Sequence, residues 1–224
     1  MIHFFIGESW RQAYPAAHAG ILVLREASNP PSHHLLEQRK QALDKELRER
    51  YTGLERKELQ ALPAIQAYNA YYKAFKKTYH IQLQLESFLF KGRSFPQVSV
   101  LVDAMFMAEL SNLLLTAGHD LSSLQDPLRL EIAQGTERYI TLQGDEKTLK
   151  TGDMFIADQA GVISSVLYGP DSRTRITPHT QDALFTVYAP AGISKEKVFR
   201  HLVDIREHLL VVSPEAKVEL IEVY

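Results

Sequence analysis

The hydrophobic period of this chain changes near Asp126, from helical before it to strand-like after it. Leu35, Leu36, Leu43 and Leu47 recur at helical spacing through a Glu/Lys/Arg-rich stretch to about Arg50, which predicts an amphipathic helix with a solvated charged face. The break SNPPS (Ser28–Ser32) precedes it, and Ser32 is its expected cap. Pro63 opens a second helix at a position that tolerates proline; Ile65, Tyr68, Tyr72 and Phe75 lie along one stripe, and Lys73, Lys76 and Lys77 favour its dipole. A third helix is expected over about Gln82–Phe90, stopping at Lys91-Gly92. A long apolar one is expected over Val98–Thr116, ended by Gly118.

Beyond Asp126, Leu128–Ala133 and Arg138–Leu142 alternate as half-buried strands do. Met154–Ala157 and Val162–Leu167 flank the turn Asp158–Gly161 and predict a hairpin. Ala183–Tyr188 and Val218–Val223 are further strands, after Ile2–Ile6 and Gly20–Arg25 near the start. Ser194 caps a last helix that buries Val198, Leu202, Ile205 and Leu209. The reading is α+β, a helical N-terminal half and a sheet-rich C-terminal half with one late helix. No repeat, low-complexity tract or linker divides the chain, so one domain over 1–224 is expected.

The 224 residues are 45% hydrophobic and 23% charged, ordinary values for a soluble globular chain with ample material for a core. With a formal net charge of −2 there is no global positive field, so any RNA contact must rest on local patches and a shaped pocket, and no DNA partner is expected. The absence of cysteine excludes disulfides, thiolate nucleophiles and Cys-type zinc sites, and fits a reducing cytoplasm. The N-terminus MIHFFIGESW has no basic n-region, and no stretch approaches the roughly 18 apolar residues of a membrane span. A cytoplasmic protein without a membrane partner is expected. There is no GxGxxG and no GxxxxGK[ST], which disfavours nucleotide-cofactor enzymes. His33-His34 lack the i, i+4 spacing of a helical metal pair and the other histidines form no recognisable ligand cluster, so neither a metal nor a cofactor is expected.

Three blocks carry a likeness to a known family. The first is AYNAYYKAFKKTYHIQLQLESFLFKGRSFPQVSVLVDAM (Ala67–Met105): a tyrosine-rich helix, a Ser/Glu-containing helix, Lys-Gly, a Pro, then an apolar helix starting Val-Asp. The second is GHDLSSL (Gly118–Leu124). The third is MFIADQAGVISSVLYGPDSRTRITPHTQDALFTVYAP (Met154–Pro190), with Ala-Asp, a Gly, then an Asp-Ser-x-x-Thr-x-Ile-Thr-x-x-Thr run into a strand. In order and spacing these resemble stand-alone B3/B4 domain proteins, similar to the editing domain of the phenylalanyl-tRNA synthetase beta subunit. The resemblance implies the α+β B3/B4 fold around one cleft, with 1–95 leading into a core B3/B4 region over 96–224. It also implies hydrolysis of misacylated aminoacyl-tRNA, notably tyrosine on phenylalanine tRNA, whose 3′ acceptor end enters the cleft.

The sequence departs from the synthetase pattern at three places. Matched on Asp120, Ala117 stands where the synthetase has an editing-pocket His, and His119 lies two residues later. Phe106 replaces an Asn after Val-Asp-x-x. Gly169-Pro170-Asp171 replaces Gly-Gly-Glu, whose Glu reads the tyrosine hydroxyl, so Asp171 is one methylene shorter.

Hydrolysis of an activated ester needs a positioned water, a place for the oxyanion and room for the amino acid, and no Ser or Cys nucleophile. His119 and Asp171 are the candidate catalytic groups beside that water. Asp120, Ser172, Thr174, Thr177, Gly169 and Gly161 are the candidate substrate-binding residues, and Lys91, Arg93, Arg173 and Arg175 the candidate RNA contacts. The bland alternatives stand beside these. Asp171–Thr177 reads equally as a loop bonding its own backbone, His119 as part of a helix-capping turn, Asp158 as turn chemistry, and the Tyr68–Tyr79 stretch as core with a solvated basic end. Two functions follow: a trans-acting editing hydrolase, or a non-catalytic module binding tRNA, an amino acid or a related small ligand in the same cleft.

Overall fold

The computed structural model describes residues 2–224. In chain order its elements are β1 (Phe4–Ile6), α1 (Glu8–Ala13), β2 (His18–Arg25), α2 (His34–Arg50), α3 (Arg56–Gln60), α4 (Pro63–Ala74), α5 (His80–Phe90), α6 (Val100–Asn112), β3 (Leu115–Asp120), β4 (Leu128–Ile132), β5 (Arg138–Ile140), β6 (Glu146–Thr148), β7 (Met154–Asp158), β8 (Gly161–Ser165), β9 (Gly169–Pro170), β10 (Ala183–Ala189), α7 (Lys195–Leu210) and β11 (Lys217–Val223). The α+β reading holds, with the expected hairpin as β7–β8.

Two sheets organise the molecule. One is a four-stranded antiparallel sheet in the order β11-β2-β10-β3; the other has the order β1-β4-β7-β8-β9, with β5 and β6 forming a separate two-stranded ribbon. The run Ile21-Leu22-Val23-Leu24 is apolar without alternation because β2 is an interior strand and all four side chains are fully buried. Each such side chain contributes roughly 1.5–3 kcal/mol of burial. Helix α7 lies against β2 with Val198, Leu202, Ile205 and Leu209 buried, and Ser194 caps it by accepting from the Lys197 N–H at 3.2 Å. Gly20 permits this approach: a Cβ there would stand 2.6 Å from Val198 Cγ1.

The tyrosine stripe of α4 belongs to the core. Tyr68, Tyr72 and Tyr79 are buried, and the Tyr68 and Tyr79 rings stack at 4.1 Å. The Tyr68 hydroxyl donates to the Tyr188 carbonyl and accepts from Leu115 N–H at 2.9 Å, standing in for a ladder bond where β3 and β10 begin to part. Tyr72 OH donates to Val166 O at 2.7 Å.

Several boundaries differ from expectation. The apolar helix ends at Asn112, where Leu113 turns left-handed with φ 59°, and Leu115–Asp120 is a strand, so Gly118 stops no helix. A continuous apolar run such as Leu113-Leu114-Leu115 has no period that separates helix from buried strand. The residue preceding α2 is His33 and no side chain caps that helix, so Ser32 does not. The third helix starts at His80, two residues early, and the short α1 and α3 carry too few apolar repeats to register.

Candidate functional site

A cleft of about 700 Å³ opens between α5, α6, the β3 edge and the segments around 142–143 and 167–176. Val98, Val102, Met105, Phe106, Leu142, Leu167 and Ile176 give it apolar walls. Ala117 and Phe106, two of the three places where the sequence departs from the synthetase pattern, both line it.

Of the residues singled out from sequence, Gly169 and Arg175 line this cleft; Arg175 Nη1 donates to Ser172 O at 2.7 Å. The two candidate catalytic groups do not. His119 is fully buried, because the segment after β9 bridges onto β3 at the pair His119–Arg175 and covers it. Thr174 Oγ1 donates to Asp171 Oδ1, so it accepts from the His119 Nδ1–H at 2.8 Å. Burial, reinforced by the Arg173 charge, lowers the His119 imidazole to about 3, and burial raises the Asp171 carboxyl. This row of groups ties a loop to a strand: Asp171 Oδ1 also accepts from Thr174 N–H at 3.0 Å.

The other candidates have similar assignments. Asp120 accepts from Ser122 N–H at 2.9 Å and from Thr180 Oγ1 at 2.6 Å. Thr177 N–H donates to Thr180 Oγ1 at 2.9 Å, and Ser172 N–H to Ile140 O at 2.9 Å. Arg173 grips both oxygens of Asp158 at 2.9 and 3.0 Å. Asp158 also accepts from Gln125 N–H and Ala160 N–H, each at 2.9 Å. Gly161 sits in the β7–β8 turn, while Lys91 and Arg93 are exposed beyond α5; none of the three lines the cleft.

Reading from sequence missed several polar side chains that do line it, among them His80, Gln84 and Glu109. His80 and Gln84 share a face of α5 at i, i+4. Tyr72 OH spends its proton on Val166, so it accepts at 3.0 Å from His80 Nδ1–H, which leaves a lone pair on His80 Nε2. Burial, with help from Lys77, lowers this imidazole to about 4, so it is neutral at pH 7. Glu109 is 3% exposed; its Oε1 accepts from Thr116 N–H at 2.8 Å, and Oε2 has no hydrogen-bond partner among the described residues. Burial raises its carboxyl to about 8 against the opposing pull of that N–H. One signal for it was available: a carboxylate in the apolar run Met105–Leu110 of α6.

The β3 edge contributes backbone. Alternation along the strand turns the N–H groups of Thr116, Gly118 and Asp120 to one side, away from β10. That of Thr116 is held by Glu109 and that of Asp120 by Thr174 O at 2.7 Å, which leaves the Gly118 N–H between them, on the cleft lining. A side chain at 118 has no room: a Cβ would lie 2.8 Å from Ile176 Cδ1. Lys77 Nζ stands 4.5 Å from the centre of the ring of Tyr168, which lines the cleft. Burial first, then the Lys150 charge, lower the Lys77 ammonium.

The B3/4 domain family model matches residues 65–204. Among solved structures, the chain is similar to an N-terminal fragment of the phenylalanyl-tRNA synthetase beta subunit from Pyrococcus horikoshii, with TM-score 0.47 and 13% identity over 93% of this chain and 49% of that one. This chain therefore spans about half of that fragment's length. No curated protein is similar enough to count as a match. No helix among the described residues is long and apolar enough to cross a membrane.

Proposed function

The chain belongs to the B3/4 domain family, and on that premise we propose that it is a trans-acting hydrolase of misacylated aminoacyl-tRNA, a translation quality-control activity of the tyrosyl-tRNA-Phe type. The observation that carries the reading is the unpaired Gly118 N–H on the lining of an apolar-walled cleft. In such hydrolysis water attacks the aminoacyl carbonyl carbon, and negative charge develops on the carbonyl oxygen. The ester C–O bond then breaks to free the amino acid and the ribose hydroxyl. A fixed backbone donor beside the developing oxyanion stabilises that transition state.

His80 fits the water. Its neutral Nε2 accepts a hydrogen bond, and Tyr72 fixes the ring's orientation. The apolar walls suit an aromatic or aliphatic side chain. Lys77, over the ring of Tyr168, suits a phosphate and the terminal base of an acceptor strand. Arg175 on the lining is a further candidate for phosphate.

A second reading, a non-catalytic tRNA- or amino-acid-binding module, is favoured by the burial of His119 and Asp171, which leaves the cleft without a strong base at neutral pH. One experiment separates the two. Purified protein is mixed with tyrosyl-tRNA-Phe and a panel of other mismatched aminoacyl-tRNAs, and ester loss is followed. Acceleration over buffer with at least one substrate is expected. No acceleration across the panel sinks the hydrolase, and tRNA retention in a shift assay then supports the module.

A further inference from the structure

The polar end of the cleft has acceptors that lack donors. Glu109 Oε2 has no hydrogen-bond partner among the described residues, although its residue is 3% exposed. Gln84 Oε1 is a buried atom without a partner, and both side chains line the cavity. They come from neighbouring helices, α6 and α5, that pack together. A buried carboxylate without a counter-charge is costly, and mutational series assign it several kcal/mol. That cost is visible here as the raised Glu109 carboxyl, to which no cation of the chain contributes an opposing effect.

We infer that Glu109 and Gln84 form a subsite for a primary ammonium, the α-amino group of an aminoacyl ligand whose side chain packs on the apolar walls. This deepens the proposal above and rests on it for the identity of the cleft. An ammonium has three donors and one positive charge; as it enters, Glu109 releases its proton to solvent, and the carboxylate Oε2 and Gln84 Oε1 then serve as its acceptors. The surroundings select against other cations. A guanidinium fork is too broad to be served by one free carboxylate oxygen. A hydrated metal ion would want several oxygens, and no group of three or more acidic, His or Cys side chains suited to a metal stands among the described residues. With the ammonium held at Glu109, the carbonyl carbon two bonds further on comes toward the β3 edge, because the Thr116 N–H that anchors Glu109 and the free Gly118 N–H lie two residues apart on that strand.

The test is a calorimetric titration of the whole chain with carboxamides of aromatic and aliphatic amino acids, each paired with its desamino counterpart, such as L-phenylalaninamide against 3-phenylpropanamide. The expected result is that at least one amine binds about tenfold or more tightly than its desamino partner, the size of one charge-assisted contact. Glu109→Gln keeps an acceptor for Thr116 N–H and cannot carry charge; it should erase that preference, with a thermal midpoint that matches the parent's near pH 5. Gln84→Leu, which breaks no bond of the folded chain, should reduce the preference severalfold. Equal binding of amines and desamino partners, no binding by any amine, or a preference that survives both substitutions overturns the inference. Deacylation is scored separately. A protein that binds amines through Glu109 but cleaves no aminoacyl-tRNA keeps the ammonium site and loses the hydrolase. One that cleaves equally well with Gln at 109 does the reverse.

Discussion

Asp103 in the first turn of α6 and Glu109 near its other end are both buried carboxylates on an otherwise apolar helix, yet their surroundings differ. Asp103 accepts from Lys40 Nζ at 2.6 Å and from Val98 N–H at 3.0 Å; Lys40 is itself 5% exposed and also reaches Glu37 and the Pro96 carbonyl. Glu109 has one backbone donor and no cation. A buried charge that is fully partnered tells a reader how the chain holds itself together. One that is not tells where something else is expected to bind. The first pins α2 to α6; the second faces a cleft.

The comparison can be broken most forcefully at Lys40. Lys40→Met leaves Asp103 charged and sealed, and should destabilise the fold by about 3–5 kcal/mol, read from denaturant midpoints. A loss under about 1 kcal/mol would mean that the pair is not the anchor it looks like.

Glu109 should answer with the opposite sign. Below pH 4.5 its carboxyl is protonated in the folded and unfolded chain alike. Between 4.5 and about 8 the unfolded chain releases the proton while the folded chain keeps it, so stability falls as pH rises, and levels off above about 8. Glu109→Gln should remove that slope, becoming more stable than the parent at pH 8.5 by on the order of a few kcal/mol, with the two converging near pH 5. Parallel stability curves from pH 5 to 8.5 would show that Glu109 ionises normally. An acid limb belongs to both proteins. His119 and His201, lowered to about 3, and His80 and His208, lowered to about 4, must stay neutral in the fold, so stability drops as pH falls below 6.5 toward 4.

Asp171 tests the same distinction at a loop. Asp171→Ala orphans the Thr174 N–H and hydroxyl and should cost about 1–3 kcal/mol in chemical denaturation, with little change in ligand preference while the protein is folded. The smallest effect is expected at the rim. Lys77→Ala should change stability by under about 1 kcal/mol, yet weaken tRNA retention and reduce the salt slope of binding by about one.

The change of period near Asp126 was legible, as were the β7–β8 hairpin, the buried run of β2 and the face of α7, because each rests on side-chain spacing that only one kind of element can satisfy. Leu113–Asp120 was not, since a short apolar run looks the same in a buried helix and a covered strand. The site was legible by halves. Ala117, Phe106, Gly169 and Arg175 do converge on the cleft. His119 drew notice by its type, but its fate is set by Arg175, whose segment returns to β3 and seals it. Nothing local in GHDL announces that. Glu109 was passed over for the converse reason: the lone acid of an apolar turn carries no motif, and its meaning lies in what fails to reach it.

The Tyr68 hydroxyl has a further consequence. By bonding Tyr188 and Leu115 together it fastens the helical layer to the mouth of the β3–β10 ladder, and the stacked Tyr79 carries that fastening to the start of α5. The helix that presents His80 and Gln84 is thus held in place before any ligand arrives. A guest entering such a socket gives up its own freedom of motion without asking the walls to surrender theirs, and rigid hosts of this kind discriminate by shape at little entropic penalty.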